Sequence, residues 1–149
     1  MDMVQVYTYS IDNSSVSCLN RAMIYAEPPP GSVQLTPVTS VLLFHPDGRI
    51  LLLQRTHHKP FGSKWGLPCG KLNDGETPID GAIRELREET GLHLNPEDLA
   101  THDALYVGSV EAYFVYHPFH VRLDLEPLVI VNTAEHQEFA WVGPLEALR

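Results

Sequence analysis

The chain has 149 residues, 44% hydrophobic and 19% charged, which suits one domain with a buried core. Its net charge of -9 speaks against binding nucleic-acid polymers, because displacing their counterions takes a broad basic surface. The longest apolar runs, Val41 to Phe44 and Ile50 to Leu53, fall far short of a membrane span, so no membrane partner is expected. Asp2 is followed by no basic-then-apolar order, and Cys18 and Cys69 form no CxxC pair, so the expected location is a reducing cytoplasm.

In chain order, Met3 to Tyr9 alternates like a strand, Ile11 to Ser17 is polar and loop-like, and Arg21 to Ala26 reads as another strand. Pro28 to Gly31 is a stiff connector. Residues 1–37 are therefore expected to be an N-terminal extension of a domain over 38–149. A strand-like segment on a polar loop suits pairing with a sheet edge or a second subunit, and a homodimer is the expectation.

Val38 to Phe44 alternates weakly into His45-Pro-Asp-Gly48, a turn signal, and Ile50 to Gln54 resumes, which predicts a hairpin. Trp65 to Pro68 reads as a short strand. Thr77 and Pro78 together mark a helix start, and Gly91 marks its end. Strands are expected at Ala104 to Gly108, Ala112 to Tyr116, His120 to Leu125 and Glu138 to Val142, with a last helix over Leu145 to Leu148 after Pro144. The order predicts a mixed sheet with helices against it.

Within the predicted helix, at about 100° per residue, Ile79, Ala82, Ile83 and Leu86 fall on one side. Glu85, Glu88 and Glu89 share the neighbouring, outward arc. This is locally unfavourable, because acids three and four positions apart repel and those in the last turn face the negative end of the helix dipole. An ordinary solvated face would interleave lysines. Clustered carboxylate oxygens suit a hard cation such as Mg²⁺ or Mn²⁺ that shares its other positions with substrate phosphates.

Arg84 is placed to orient a carboxylate with its fork. Arg55, Lys59, Lys64 and Lys71 can reverse the local field for a small polyphosphate. The eight histidines form no competing metal motif. Trp65, Tyr106, Tyr113, Phe114 and Tyr116 include candidates for base stacking, although aromatic residues on strands more commonly fill the core.

The stretch Gly70 to Leu92, GKLNDGETPIDGAIRELREETGL, runs Gly, five residues, Glu, seven residues, Arg-Glu, apolar, any, Glu-Glu, any, Gly, apolar. That spacing is the Nudix box, carried by Gly70, Glu76, Arg84, Glu85, Leu86, Glu88, Glu89, Gly91 and Leu92. The chain thus resembles the Nudix hydrolase family, in layout from about Thr36 to Leu148 but in specific motif only through the box.

The resemblance implies an α/β/α sandwich with a mixed β-sheet, and hydrolysis of a phosphoanhydride in a nucleoside diphosphate linked to another moiety. A nucleoside triphosphate, a nucleotide sugar and a dinucleoside polyphosphate are all candidates. It assigns Glu85, Glu88 and Glu89 to Mg²⁺ or Mn²⁺, together with the backbone carbonyl of Cys69, where the family often has glycine. Cys69 itself is expected to be a small packed residue, since soft sulfur suits Mg²⁺ poorly.

Glu76 is expected either to brace the loop through Arg84 or simply to favour the helix N-terminus by its charge. Gly70 and Gly91 are expected to be supporting positions. Arg55 and Lys71 are the expected contacts to a small-molecule nucleotide or other diphosphate substrate. Glu135, rather than Glu138, is the candidate for an extra catalytic carboxylate. Two other readings share the fold. One is a non-catalytic nucleotide sensor, against which the intact box argues; the other is an isoprenoid-diphosphate isomerase-like enzyme, whose additional Cys and Glu cannot be placed.

Overall fold

A computed structural model of the chain describes residues 4–5, 23–28, 35–108 and 113–147. In chain order these carry β1 (Val4–Gln5), β2 (Met23–Tyr25), β3 (Thr36–Phe44), β4 (Ile50–Arg55), β5 (Trp65–Gly66) and β6 (Cys69–Lys71). Next come α1 (Pro78–Thr90), a 3₁₀ turn at Pro96–Asp98, β7 (Ala100–Thr101), β8 (Leu105–Gly108), β9 (Tyr113–Arg122) and β10 (His136–Val142). The strands form one mixed sheet in the order β1-β2-β8-β9-β3-β4-β10. β3 and β9 run parallel from Thr36 opposite Phe114 to Phe44 opposite Arg122, while the other pairs are antiparallel.

The predicted helix forms where its local signals put it. Thr77 caps it, accepting the Asp80 N–H at 3.3 Å, Pro78 opens it, and Gly91 ends it at φ 72°, with its N–H bonded to the Arg87 carbonyl at 2.9 Å. Ala82 and Leu86 are buried with Val41, Leu43, Leu51, Leu53, Phe119 and Val121 in the core, and Ile79 and Ile83 pack against it. The helix lies chiefly against β3 and β6. The Thr39 hydroxyl, which donates to the Pro78 carbonyl at 3.2 Å, ties β3 to its first turn.

The fold is α/β, as expected; α1 is the one α-helix among the described residues, so the second helical layer of a sandwich has no counterpart there. The β3–β4 hairpin is shorter than the pattern suggests. Only Phe44 opposite Ile50 is paired, after which β4 takes β5 on its free edge and β3 takes β6.

The two strands expected around residues 112 to 125 are a single strand, β9, running through Pro118 and ending at Arg122. The Pro118 carbonyl accepts the His102 N–H at 3.3 Å, so the ring nitrogen on the same side faces the interval between β7 and β8, where no ladder donor is needed. β10 starts at His136, two residues early, with a register shift before Glu138. The last helix is replaced by a turn at 144–147, in which Glu146 and Ala147 both donate to the Gly143 carbonyl.

In the extension, β2 forms inside the expected 21–26 strand and pairs with β8 of its own chain, Ile24 opposite Val107. Of the strand expected from Met3 to Tyr9, only Val4 and Gln5 are described, and the loop over 11–17 and most of the proline connector lie outside the described residues. No helix among the described residues is long and apolar enough to cross a membrane.

Candidate active site

The site forms where the chain passes from one half of the sheet to the other. β5 pairs with β4, Leu67 and Pro68 cross over with the Pro68 carbonyl accepting the Val41 N–H at 3.0 Å, and β6 then pairs with β3, Cys69 opposite Ser40. This lays the Cys69–Gly70 backbone over the C-terminal half of α1. The Cys69 N–H donates to Glu89 Oε2 at 3.0 Å. At Gly70 the fit is so close that a Cβ would stand 2.0 Å from Cδ of Glu85.

Arg84 is the hub of the acidic cluster. Its Nε and Nη2 donate to the two Glu76 oxygens at 2.7 and 2.8 Å, a bidentate pair. Nη1 donates to Glu85 at 2.7 Å and to Glu88 at 3.3 Å, and Nη2 also reaches the Lys71 carbonyl at 3.0 Å. The guanidinium, helped by the Asn73 N–H, holds the Glu76 carboxyl down at about 2, and its own pKa is raised in return. Glu76 therefore pairs with Arg84, besides standing ahead of the helix. Lys71 enters this network through its carbonyl oxygen rather than its ammonium.

The three box glutamates have different surroundings. Glu88 is exposed. Glu85 is half-buried, and desolvation raises its pKa, with Glu88 and Glu135 adding to the shift and Arg84 opposing it. Glu89 is 3% exposed, which corrects the expectation that it lies on the outward arc. The segment leading into β10 covers it: Asn132 donates to the Glu89 carbonyl at 3.0 Å, Ile130 donates to the Thr90 carbonyl at 2.8 Å, and His136 Nε2 lies 3.7 Å from Glu89 Oε1. Burial, then the charges of Glu85 and Glu135, push the Glu89 carboxyl up to about 8, with the Cys69 N–H and Arg55 opposing.

Cys69 keeps exposed surface as a residue while its sulfur is crowded by neighbouring atoms, so its reading as a packed residue holds for the thiol and not for the whole residue. Its thiol is pushed up to about 12, first by the loss of hydration around the sulfur and then by Glu89 and Glu85. Glu135 is half-buried, with its carbonyl accepting the Thr56 N–H at 2.9 Å, and its charge reaches Glu85, Glu89 and Cys69. Glu138 is exposed on β10 opposite Gln54. The Arg55 charge reaches Glu89, Cys69 and His136, while its Nε donates to the Pro60 carbonyl at 2.9 Å. Among the stacking candidates, Tyr116 is committed to a hydrogen bond with Ser40.

Two residues of the site were not signalled by sequence. His136 is buried, with no partner at Nδ1 among the described residues and Nε2 directed toward Glu89; its place next to Glu135 was the available signal. Gly81, inside the helix, admits Leu72, since a Cβ there would lie 2.3 Å from Leu72 Cδ2 and 3.1 Å from Glu76 Oε2.

Among the described residues no three His, Cys, Asp or Glu side chains converge into a ready cation cage, because Arg84 draws Glu85 and Glu88 and the Cys69 N–H draws Glu89. The donor set nonetheless fits a hard divalent ion. Glu88 and Glu135 help to raise the Glu85 carboxyl, and Glu85 and Glu135 the Glu89 carboxyl, and positive charge placed among them would relieve that.

A family model described as NUDIX domain matches residues 34–149. The chain is 32% identical over 106 residues to a CTP pyrophosphohydrolase of Escherichia coli (strain K12), covering 69% of this chain and 73% of that one. It is 31% identical over 140 residues to an octanoyltransferase of Myxococcus xanthus, covering 93% of this chain but spanning only 38% of that longer protein. A solved bifunctional NMN adenylyltransferase/ADP ribose pyrophosphatase of Francisella tularensis, complexed with AMP and a Mn ion, superposes with a TM-score of 0.60 at 27% identity, over 78% of this chain and 37% of that one.

Proposed function

The chain belongs to the Nudix family, and from that premise we propose that it is a Mg²⁺-dependent diphosphohydrolase acting on a nucleoside diphosphate linked to a further group. The observation that carries this reading is Glu89, only 3% exposed, with its carboxyl raised to about 8 beside Glu85 and Glu135. A cation bound among these carboxylates would take the place of the proton that burial otherwise favours on Glu89.

Bound Mg²⁺, or Mn²⁺ in its place, would supply charge neutralisation to the substrate phosphates. Glu85, Glu88, Glu89 and the Cys69 carbonyl are the residues to hold it. Arg84, itself fixed by Glu76, sets the direction of the Glu85 and Glu88 carboxylates. Arg55, with Lys71, binds the substrate phosphates. Glu135 positions the attacking water and takes its proton as the new P–O bond forms and the bridging P–O bond breaks. The substrate class is a nucleotide, in keeping with the CTP named for the Escherichia coli relative and the AMP in the Francisella complex. We take residues 1–37 as an appendage to the catalytic domain over 38–149, and the cytoplasm as the site of action.

Release of phosphate or nucleotide monophosphate from a panel of nucleoside triphosphates, nucleotide sugars and dinucleoside polyphosphates tests this, with Mg²⁺ and with chelator. Turnover of at least one with Mg²⁺ and none with chelator is expected. Metal-independent turnover, or none across the panel, overturns it.

A further inference from the structure

The loop between β4 and β5 holds an aromatic residue in a conformation it does not favour. Phe61 has φ 60° and Ser63 has φ 63°, the two non-glycine residues with positive φ among those described. A phenylalanine there is strained, since its Cβ crowds the backbone, and such strain persists only where the surroundings impose it. Here they do. Gly62 lies so close to the start of the loop that a Cβ would stand 2.3 Å from the His57 carbonyl oxygen. Ser63 donates to the Arg55 carbonyl at 2.9 Å, Arg55 donates to the Lys64 carbonyl at 2.9 Å, and Arg55 Nε donates to the Pro60 carbonyl at 2.9 Å.

The outcome is that the Phe61 side chain gains no burial from its strain: the residue is 58% exposed. Single exposed apolar residues are ordinary, but one held out by a strained backbone is not. Lys59, two residues before it, is a cation on a chain of net charge -9. Arg55 joins the loop to the carboxylates, since the same side chain that holds the Pro60 carbonyl acts electrostatically on Glu89. Phe61, the residue after Pro60, thus stands on the segment that Arg55 links to the carboxylates.

We propose that Phe61 is a stacking platform for the base of a nucleotide whose phosphates lie between Arg55 and the box glutamates, which makes the 56–64 loop a base-recognition element. The inference rests on the hydrolase reading for the placement of the phosphates, and it selects base-bearing diphosphates over base-free ones. Every nucleobase has a π face, so the platform adds affinity for nucleotides as a class without choosing among bases.

The test compares binding of an α,β-methylene nucleotide analogue, which resists hydrolysis, with that of methylenediphosphonate, which has no base, by titration calorimetry with Mg²⁺ present. Phe61→Asn removes the ring while tolerating the left-handed backbone, and Phe61→Tyr keeps the ring. Phe61→Asn is expected to weaken the nucleotide analogue roughly tenfold. It should leave methylenediphosphonate unmoved and the melting temperature unchanged or raised, while Phe61→Tyr binds the analogue like the wild type. Equal binding of the analogue by Phe61→Asn, or equal weakening of both ligands, overturns the proposal. Its failure is separable from that of the hydrolase reading. Wild type that binds both ligands equally well but hydrolyses nucleotides refutes only the platform, whereas wild type that binds the analogue through Phe61 and hydrolyses nothing refutes only the activity.

Discussion

The carboxyl group of Glu85 occupies the space that any side chain on Gly70 would need, since a Cβ there would lie 2.0 Å from Glu85 Cδ. Backbone of β6 and side chain of α1 meet with nothing between them, and the position of one proposed metal ligand is fixed by the absence of an atom on another residue.

Gly70→Ala is therefore expected to push Glu85 aside and lower kcat on the order of 10²-fold, as misplacement of a reacting group by about 1 Å does. A steady-state assay checks it, read beside a thermal melt that shows the variant folded. Activity within twofold of wild type would mean that the Glu85 position is not critical.

Glu89→Gln should abolish hydrolysis by several orders of magnitude and stabilise the metal-free protein by roughly 1 kcal/mol, a rise of about 2 to 4 °C in melting temperature. The amide keeps an acceptor for the Cys69 N–H and removes a charge that burial disfavours. A folded-state pKa raised to about 8 from 4.5 costs nothing below pH 4.5 and progressively more as pH rises toward 8. In chelator, the wild-type melting temperature should fall across that window relative to the Gln variant. Parallel curves would refute the assignment.

Glu76 works in the opposite sense. Its carboxyl, held at about 2 by Arg84, contributes stability present above pH 4.5 and lost as pH falls toward 2. Glu76→Gln should flatten that acid limb, and an unchanged limb in acid melts would show that Arg84 does not rely on it.

Arg84→Lys keeps the charge but cannot reproduce the bidentate grip on Glu76 while also reaching Glu85, Glu88 and the Lys71 carbonyl. A loss of about 1 to 3 kcal/mol in stability is expected from denaturant melts. Activity should fall on the order of 10²-fold. Wild-type behaviour in both would make the hub dispensable.

What the sequence revealed was what is local. Thr77, Pro78 and Gly91 act within a turn of the helix they delimit, and the crowding of Glu85, Glu88 and Glu89 follows from helical periodicity alone. The burial of Glu89 depends on the 130–136 segment some forty positions later, which no periodicity signals. Pro118 misled for a similar reason: whether a proline breaks a strand depends on what its missing N–H faces, here the interval between β7 and β8. Phe61 was invisible because its conformation runs against its own propensity.

A chain beginning at Thr36 should test the extension. Removing β2 uncovers the β8 edge, and uncovered edges invite pairing with another chain. Light scattering of the full chain is expected to show a homodimer and the shortened chain a loss of that state or aggregation. Two well-behaved monomers would assign the extension neither role.

Because β3 and β4 part after a single pair, two parts of the candidate site hang from different strands: Arg55 and the 56–64 loop from β4, and the Cys69–Gly70 backbone that meets α1 from β3. Selection can act on them one at a time. If the 56–64 loop selects the ligand as proposed, exchanging it would change the ligand while the carboxylates pass unchanged to the descendant, so a lineage built on this plan could diversify its diet without reinventing its chemistry.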